Sequence, residues 1–170
     1  MPNYCDYELK IKGEKENVMK VVSYLQADYS YENGYSNCTA DKHFFRVFEA
    51  DTAYDQVEDD GLFSVVVYGY CAWSVYCCMF KGVHTYYNDW TEERKAKLNE
   101  PFKGINMEEI TKELNLTVEI FSSEPGVGFM EHYLVENGEI LVNECVKYYE
   151  QENEEGDYEG VGGLEWAYAI

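Results

Sequence analysis

The chain has 170 residues, with 33 Asp and Glu against 13 Lys and Arg and a formal net charge of −20. That charge opposes direct binding to nucleic acid, whose phosphates it would repel, and favours a basic partner, a bound cation or simple solubility. The length fits a single domain with a core large enough to need neither disulfides nor metals, and 17 tyrosines argue for a folded chain.

In chain order, Cys5, Tyr7, Leu9 and Ile11 alternate with Asp6, Glu8, Lys10 and Lys12. A period of two predicts a strand with one buried and one wet face. Val18, Val21, Val22 and Leu25 then fall at helical spacing, predicting an amphipathic helix over 14–27 that lies on that sheet. Asp28 to Asp41 reads as a polar, Tyr-rich loop. A second strand is expected over 43–50, an acidic connection over 51–61, and a third, β-branched strand over 62–70.

The run Leu62 to Phe80 carries no charge, and its 19 residues could just span a bilayer. Gly69, two Ser, three Tyr and the Val65-Val66-Val67 triplet favour instead a buried strand entering a buried helix, with Ser74 as its cap. Between 81 and 106 lies an insertion with a short basic helix at 91–98. A further helix is expected over 106–114, capped by Asn106, with Ile110 and Leu114 on one face.

From Leu116 to Val142 the chain reads as strand, turn, strand, turn, strand. Val118 and Ile120 alternate with Thr117, Glu119 and Phe121, Pro125-Gly126 and Gly128 interrupt, and Met130, His132 and Leu134 resume the alternation. Asn137-Gly138 is a strong hairpin signal. The result is a three-stranded antiparallel meander. An acidic, flexible tail is expected over 150–160, and the apolar end 163–170 is expected to fold back. The predicted core is Tyr7, Leu9, Ile11, Val65, Val67, Val118 and Ile120, under the helix residues Val18, Val21, Val22 and Leu25.

Several features carry a resemblance. The segment EIFSSEPGVGFMEHYLVENGEI, with EPGVGF at 124–129, is similar to the C-terminal sheet of the YubB ferredoxin-like family of phage and plasmid proteins. The opening MPNYC resembles that family's MPNWC, and Cys71-Ala72-Trp73-Ser74 resembles its aromatic-Ala-Trp-Ser segment. Val75 departs from the family's Pro, and the 81–106 insertion departs as well. The resemblance implies a fold and a mobile-element origin, and brings no catalytic residues. The residue pattern points the same way: one α+β domain spanning 1–170, with a ferredoxin-like antiparallel sheet, helices on one face, and an extension by the C-terminal meander.

No catalytic constellation stands out. Cys71, Cys77 and Cys78 lack the spacing of a zinc site, and the reading for all six cysteines is reduced thiols in a cytosolic protein, here the host bacterial cytoplasm. The start MPNYCDYELK is polar, so no signal peptide is expected. His132, on a face with Met130 and Leu134, reads as a satisfied core or edge histidine. Neither a metal nor a cofactor is expected, and the chain is not expected to be an enzyme.

The acidic runs are more informative. Glu49, Asp51, Asp55, Glu58, Asp59 and Asp60 form one; Glu150, Glu152, Glu154, Glu155, Asp157 and Glu159 form the other. Carboxylates two residues apart on a strand sit roughly 6.5–7 Å apart, comparable with phosphates along one DNA strand. Beside exposed Tyr they would imitate nucleic acid. The resulting expectation is an anti-defence protein, anti-CRISPR or anti-restriction, that binds the basic nucleic-acid groove of a CRISPR effector or restriction enzyme and touches neither nucleic acid nor membrane. The alternatives are a small enzyme or ligand-binding protein using a Tyr/His/carboxylate cleft, and a non-inhibitory phage accessory module. The plainest reading of both runs is a solvated loop and tail.

Overall fold

A computed structural model describes residues 3–26, 29–30, 37–38, 42–81 and 104–170. The basic helix expected at 91–98, and most of the 81–106 insertion, lie outside the described residues. The alternating residues at the start form β1 (Tyr4–Gly13), followed by the amphipathic helix α1 (Lys15–Leu25). Two short pairs follow. β2 (Tyr29–Ser30) pairs with β3 (Asn37–Cys38), and β4 (His43–Phe44) pairs in parallel with β7 (Gly104–Ile105). The long elements are β5 (Val47–Val57), β6 (Phe63–Ala72), α2 (Val75–Met79), α3 (Met107–Leu114), β8 (Thr117–Glu124), β9 (Phe129–Glu136), β10 (Glu139–Glu152) and β11 (Tyr158–Gly162).

Seven strands make one sheet in the order β11-β10-β9-β8-β1-β6-β5, and every neighbouring pair is antiparallel. The protein is therefore an α+β chain dominated by antiparallel sheet. The expected meander is present as β8-β9-β10. Its second turn uses Asn137 and Gly138 at φ 47° and 89°, the double positive φ that a tight hairpin needs to match strand twist.

One face of the sheet carries the core. Tyr7, Leu9 and Ile11 on β1 stand opposite Val65 and Val67 on β6 and Val118 and Ile120 on β8, and all are buried. Val18, Val21, Val22 and Leu25 of α1 close over them. The helix starts were legible as well. Ser74 Oγ accepts the Cys77 N–H at 3.1 Å, and Asn106 Oδ1 accepts the Glu109 N–H at 2.9 Å. Leu9 is fully buried between Val67 and Ile120 on an interior strand. Leu9→Ala is expected to cost about 2–4 kcal/mol in chemical denaturation. A loss below about half a kilocalorie, the range of ordinary surface changes, would contradict its place in the core.

Two expectations need correction. Residues 51–57 are not a connection but the second half of β5, an edge strand. The stretch 150–160 is not a loose tail either, because β10 runs to Glu152 and returns as β11. The turn between them is built on Asn153, whose Oδ1 accepts the N–H groups of Glu155 and Asp157 at 3.0 and 2.9 Å. An Asn side chain that binds backbone two residues on is a turn former in its own right. Among the described residues no helix is long and apolar enough to cross a membrane.

Candidate interaction face

The alternation that buries one face of the sheet presents the other. On β1 that second face carries Asp6, Glu8, Lys10 and Lys12. Direct cross-strand partners share a face, so the register extends it outward. Asp6 and Glu8 stand opposite Tyr70 and Tyr68 of β6, which in turn stand opposite Glu49 and Asp51 of β5. On the other side, Glu144 of β10 stands opposite His132 of β9, and Glu150 and Glu152 continue the same parity onto the hairpin.

The sequence-predicted carboxylates therefore divide. Glu49, Asp51, Glu150 and Glu152 lie on this face and are exposed. Asp55 stands opposite Val65, on the helix side, and Glu159 stands opposite Gln151, also on that side. Glu154, Glu155 and Asp157 occupy the β10–β11 turn, and Asp59 is exposed in the β5–β6 turn. The two runs sit toward opposite edges of the sheet, on β5 and on the β10–β11 hairpin, with β6, β1, β8 and β9 between β5 and β10. Asp6, Glu8 and Glu144 fill the space between them. These three escape a reading by acidic runs because they are separated in sequence. The alternation of β1 was legible, but the wet face expected of it is corrected by the structure, since only Asp6 is exposed, Glu8 and Lys12 are half-buried and Lys10 is buried.

Glu58 and Asp60 belong to the fold more than to a docking surface. Glu58 accepts from Lys10 Nζ and from Ser64 Oγ, both at 2.6 Å, and from Gln56 Nε2 at 2.9 Å. Asp60 meets Lys12 Nζ at 2.7 Å and accepts the Leu62 N–H at 3.1 Å. The bond from Lys10, with those from Ser64 and Gln56, lowers the Glu58 carboxyl from 4.5 to about 2. The bond from Lys12 lowers Asp60 too. A depressed folded value means that Glu58 contributes stability fully above about pH 4.5, and that this is lost as pH falls toward 2. Glu58→Gln is therefore expected to flatten the acid side of the stability profile across that window, read by urea denaturation. An unchanged acid slope would contradict the Lys10–Glu58 bond.

The centre of the face is covered. Residues 164–170 cross it as a strap without regular secondary structure. Tyr168 Oη donates to Glu8 Oε1 at 2.7 Å, the Ala169 N–H donates to Glu119 Oε2 at 2.6 Å, and Lys10 Nζ donates to the Ile170 oxygen at 2.7 Å. Trp166 stacks on Phe121 with centroids 6.0 Å apart, and Tyr168 meets the same ring edge-on at 5.6 Å. Burial, then the bond to Glu8, pushes the Tyr168 phenol up. Beneath the strap, Glu119 is only 1% exposed. Its Oε1 lies 2.8 Å from His132 Nε2, while His132 Nδ1 lies 3.5 Å from Glu144 Oε2. The imidazole also stacks on Phe121 at 4.3 Å. His132 is thus a satisfied histidine at the rim of the covered region, as its strand position implied.

Neither a family, nor a characterised protein, nor a solved structure matches this chain.

Several other polar groups serve the fold, although the buried Asn106 Nδ2 has no hydrogen-bond partner among the described residues. On the helix side, the buried Glu131 carboxylate accepts from the Val75 N–H at 3.1 Å, Ser122 Oγ at 2.7 Å and Tyr133 Oη at 3.3 Å, and also from the Tyr76 backbone. It holds the start of α2 together with Ser74. Cys5, Cys71 and Cys78 are buried in the core, and burial raises the Cys71 thiol well above its ordinary value. Burial raises Cys77 as well. Such thiols are poor nucleophiles, since the thiolate is the reactive form. The five cysteines with described side chains are all unpaired, and Cys38 lies outside them. No group of His, Cys, Asp and Glu suited to a metal occurs among the described residues. A separate cleft of about 460 Å³, lined by Lys12, Glu14, Asn115, Glu136, Asn137 and Glu139 among others, includes neither His nor Cys.

Proposed function

We propose that this chain is a phage or mobile-element protein of the YubB ferredoxin-like kind that inhibits a host defence protein by imitating nucleic acid. The target class is a CRISPR effector or a restriction enzyme with a basic nucleic-acid groove, met in the host cytoplasm. The observation that carries the reading is the carboxylate face: Glu49, Asp51, Asp6, Glu144, Glu150 and Glu152 share one side of one sheet, interleaved with Tyr68, Tyr70, Tyr148 and Tyr158. Along a strand such carboxylates recur roughly every 6.5–7 Å, near the phosphate repeat of a single strand. Tyrosine rings beside them offer stacking surfaces to the arginines of a basic groove.

The strand order supports the ferredoxin-like part of the proposal. β8-β1-β6-β5 is the central order of a βαββαβ unit, with α1 after β1 and α3 before β8. On this view β9, β10 and β11 extend that unit and carry half of the carboxylate face. Neutralisation of Lys10 and Lys12 by Glu58 and Asp60 supports the functional part, because it removes the two β1 cations from the face.

The test is capture from a host bacterial lysate at low and high salt, followed by competition with guide RNA or target DNA. A basic nucleic-acid-binding protein retained only at low salt, and released by nucleic acid, is the expected result. A partner whose retention ignores both salt and nucleic acid would overturn the proposal.

A further inference from the structure

The strap differs from every other element on the sheet. Its one backbone bond within 164–170 runs from the Ala167 N–H to the Glu165 oxygen at 3.1 Å, and Glu165, Trp166, Ala167 and Ala169 stay exposed. Two left-handed glycines, Gly162 at φ 79° and Gly163 at φ 86°, turn the chain off the end of β11 and over the face. The strap is then held by a few polar bonds and one aromatic stack. A segment with so few ordered backbone bonds belongs at the low end of local opening free energies.

What it covers has a recognisable chemistry. Glu8 and Glu119 are diagonal neighbours across β1 and β8, because Glu8 pairs with Phe121 and Lys10 with Glu119. Both carboxylates accept hydrogen bonds from the strap, and Phe121 lies beneath its two aromatic rings. Two acceptors beside an aromatic face match a guanidinium, which offers planar, forked donors and stacks on rings. The strap supplies the same things from within the chain: a hydroxyl donor, an amide donor and stacking rings.

Building on the acidic-face reading above, we propose that residues 164–170 are a built-in occupant of a seat for an arginine-bearing, extended segment of the partner, and that binding exchanges one for the other. In the closed form the chain's own donors satisfy Glu8 and Glu119. A partner segment that displaces the strap takes over both carboxylates and the Phe121 ring. The strap then acts as a filter: isolated cations in solution must compete with a tethered occupant, whereas a partner already held by the surrounding carboxylates competes from close range. Because the closed form cannot bind at the seat, loosening the strap should tighten binding.

The experiment uses the full chain with an octa-arginine peptide as probe and an octa-lysine peptide as control, at low salt. Hydrogen exchange of 164–170 is followed by mass spectrometry, and affinity is measured for the parent and for Tyr168→Phe, which removes the hydroxyl bond to Glu8 and keeps the ring. The expected result is faster exchange in 164–170 when octa-arginine binds, arginine bound better than lysine, and Tyr168→Phe binding roughly three- to tenfold tighter than the parent. Unchanged exchange in the strap, or a Tyr168→Phe chain that binds no tighter, overturns the exchange and leaves the acidic-face reading standing. Absence of salt-sensitive binding to parent and variant alike overturns both.

Discussion

Glu131→Ala is expected to lower stability by about 3–5 kcal/mol, whereas Glu131→Gln should stay within about 1 kcal/mol of the parent near pH 4.5. Glu131 is 3% exposed and forms no ion pair with a described Lys, Arg or His. Its work is to accept from Ser122, Tyr133 and the first N–H groups of α2. Alanine leaves those donors buried without partners, each at a cost of about 1–3 kcal/mol where water cannot enter. Glutamine keeps one acceptor oxygen for Val75 and Ser122 and turns its amide toward the Tyr133 oxygen.

The pH dependence separates the two charge states of Glu131. Burial raises its folded value above 4.5, so the folded chain binds this proton more tightly than the unfolded chain. The stability contribution is then fully present below the unfolded value and is lost as pH rises through the folded one. Glu131→Gln carries no such loss, so its stability relative to the parent should rise with pH across that window. Denaturation curves of parent and variant at several pH values check this. A constant difference would mean that the carboxylate is as well solvated folded as unfolded.

Joint neutralisation of Glu49, Asp51, Glu150 and Glu152 to their amides should weaken partner binding by tenfold or more, while any one change does little. An exposed ion pair is worth about 0–1 kcal/mol, so four together reach roughly 2 kcal/mol, about a thirtyfold loss. Folding should hold or improve slightly, because none of the four forms an ion pair with a described Lys or Arg and like-charge repulsion is relieved. The informative control is Glu154, Glu155 and Asp157 neutralised in the β10–β11 turn, which removes three charges against the four of the face variant. If face and turn variants lose affinity equally, total charge rather than the arrangement on the face drives binding. If neither loses any, the carboxylates are only solvated. Glu58 and Asp60 are unsuitable for this test, since removing their charge releases Lys10 and Lys12 and reports on folding.

Much of the fold was legible because strong periodicities and local chemistry coincide with it. Cys5 to Ile11 alternate cleanly, Val18 to Leu25 keep one helical face, and Ser74, Asn106 and Asn137-Gly138 carry their own capping or turn chemistry. Residues 51–57 were not legible as strand. β5 is an edge strand whose outer half is exposed on both sides, so Asp51, Asp55 and Gln56 suffer no burial that would force an apolar alternation. The same holds for β10 beyond Lys147, where a glutamate-rich stretch is ordered by cross-strand pairing and the Asn153 turn. The carboxylate face was visible only in fragments. Glu8, Asp51 and Glu150 come together through strand register, and register is a tertiary property that no local window contains.

The position of β1 has a consequence for how the chain assembles. It is the first element described, yet it sits between β6 and β8, whose residues come from 63–72 and 117–124. No neighbouring sequence can close either of its edges. Both rows of its backbone groups therefore wait on distant segments, and loop-closure entropy must be met before those contacts form. The strap contacts to Glu8 and Lys10 join positions 160 apart in sequence, so they form only on a completed sheet. Folding should accordingly be slow for the chain's size, with β1 open to intermolecular pairing while it waits. Aggregation during refolding should then rise with protein concentration and be most acute before the 117–124 strand has docked.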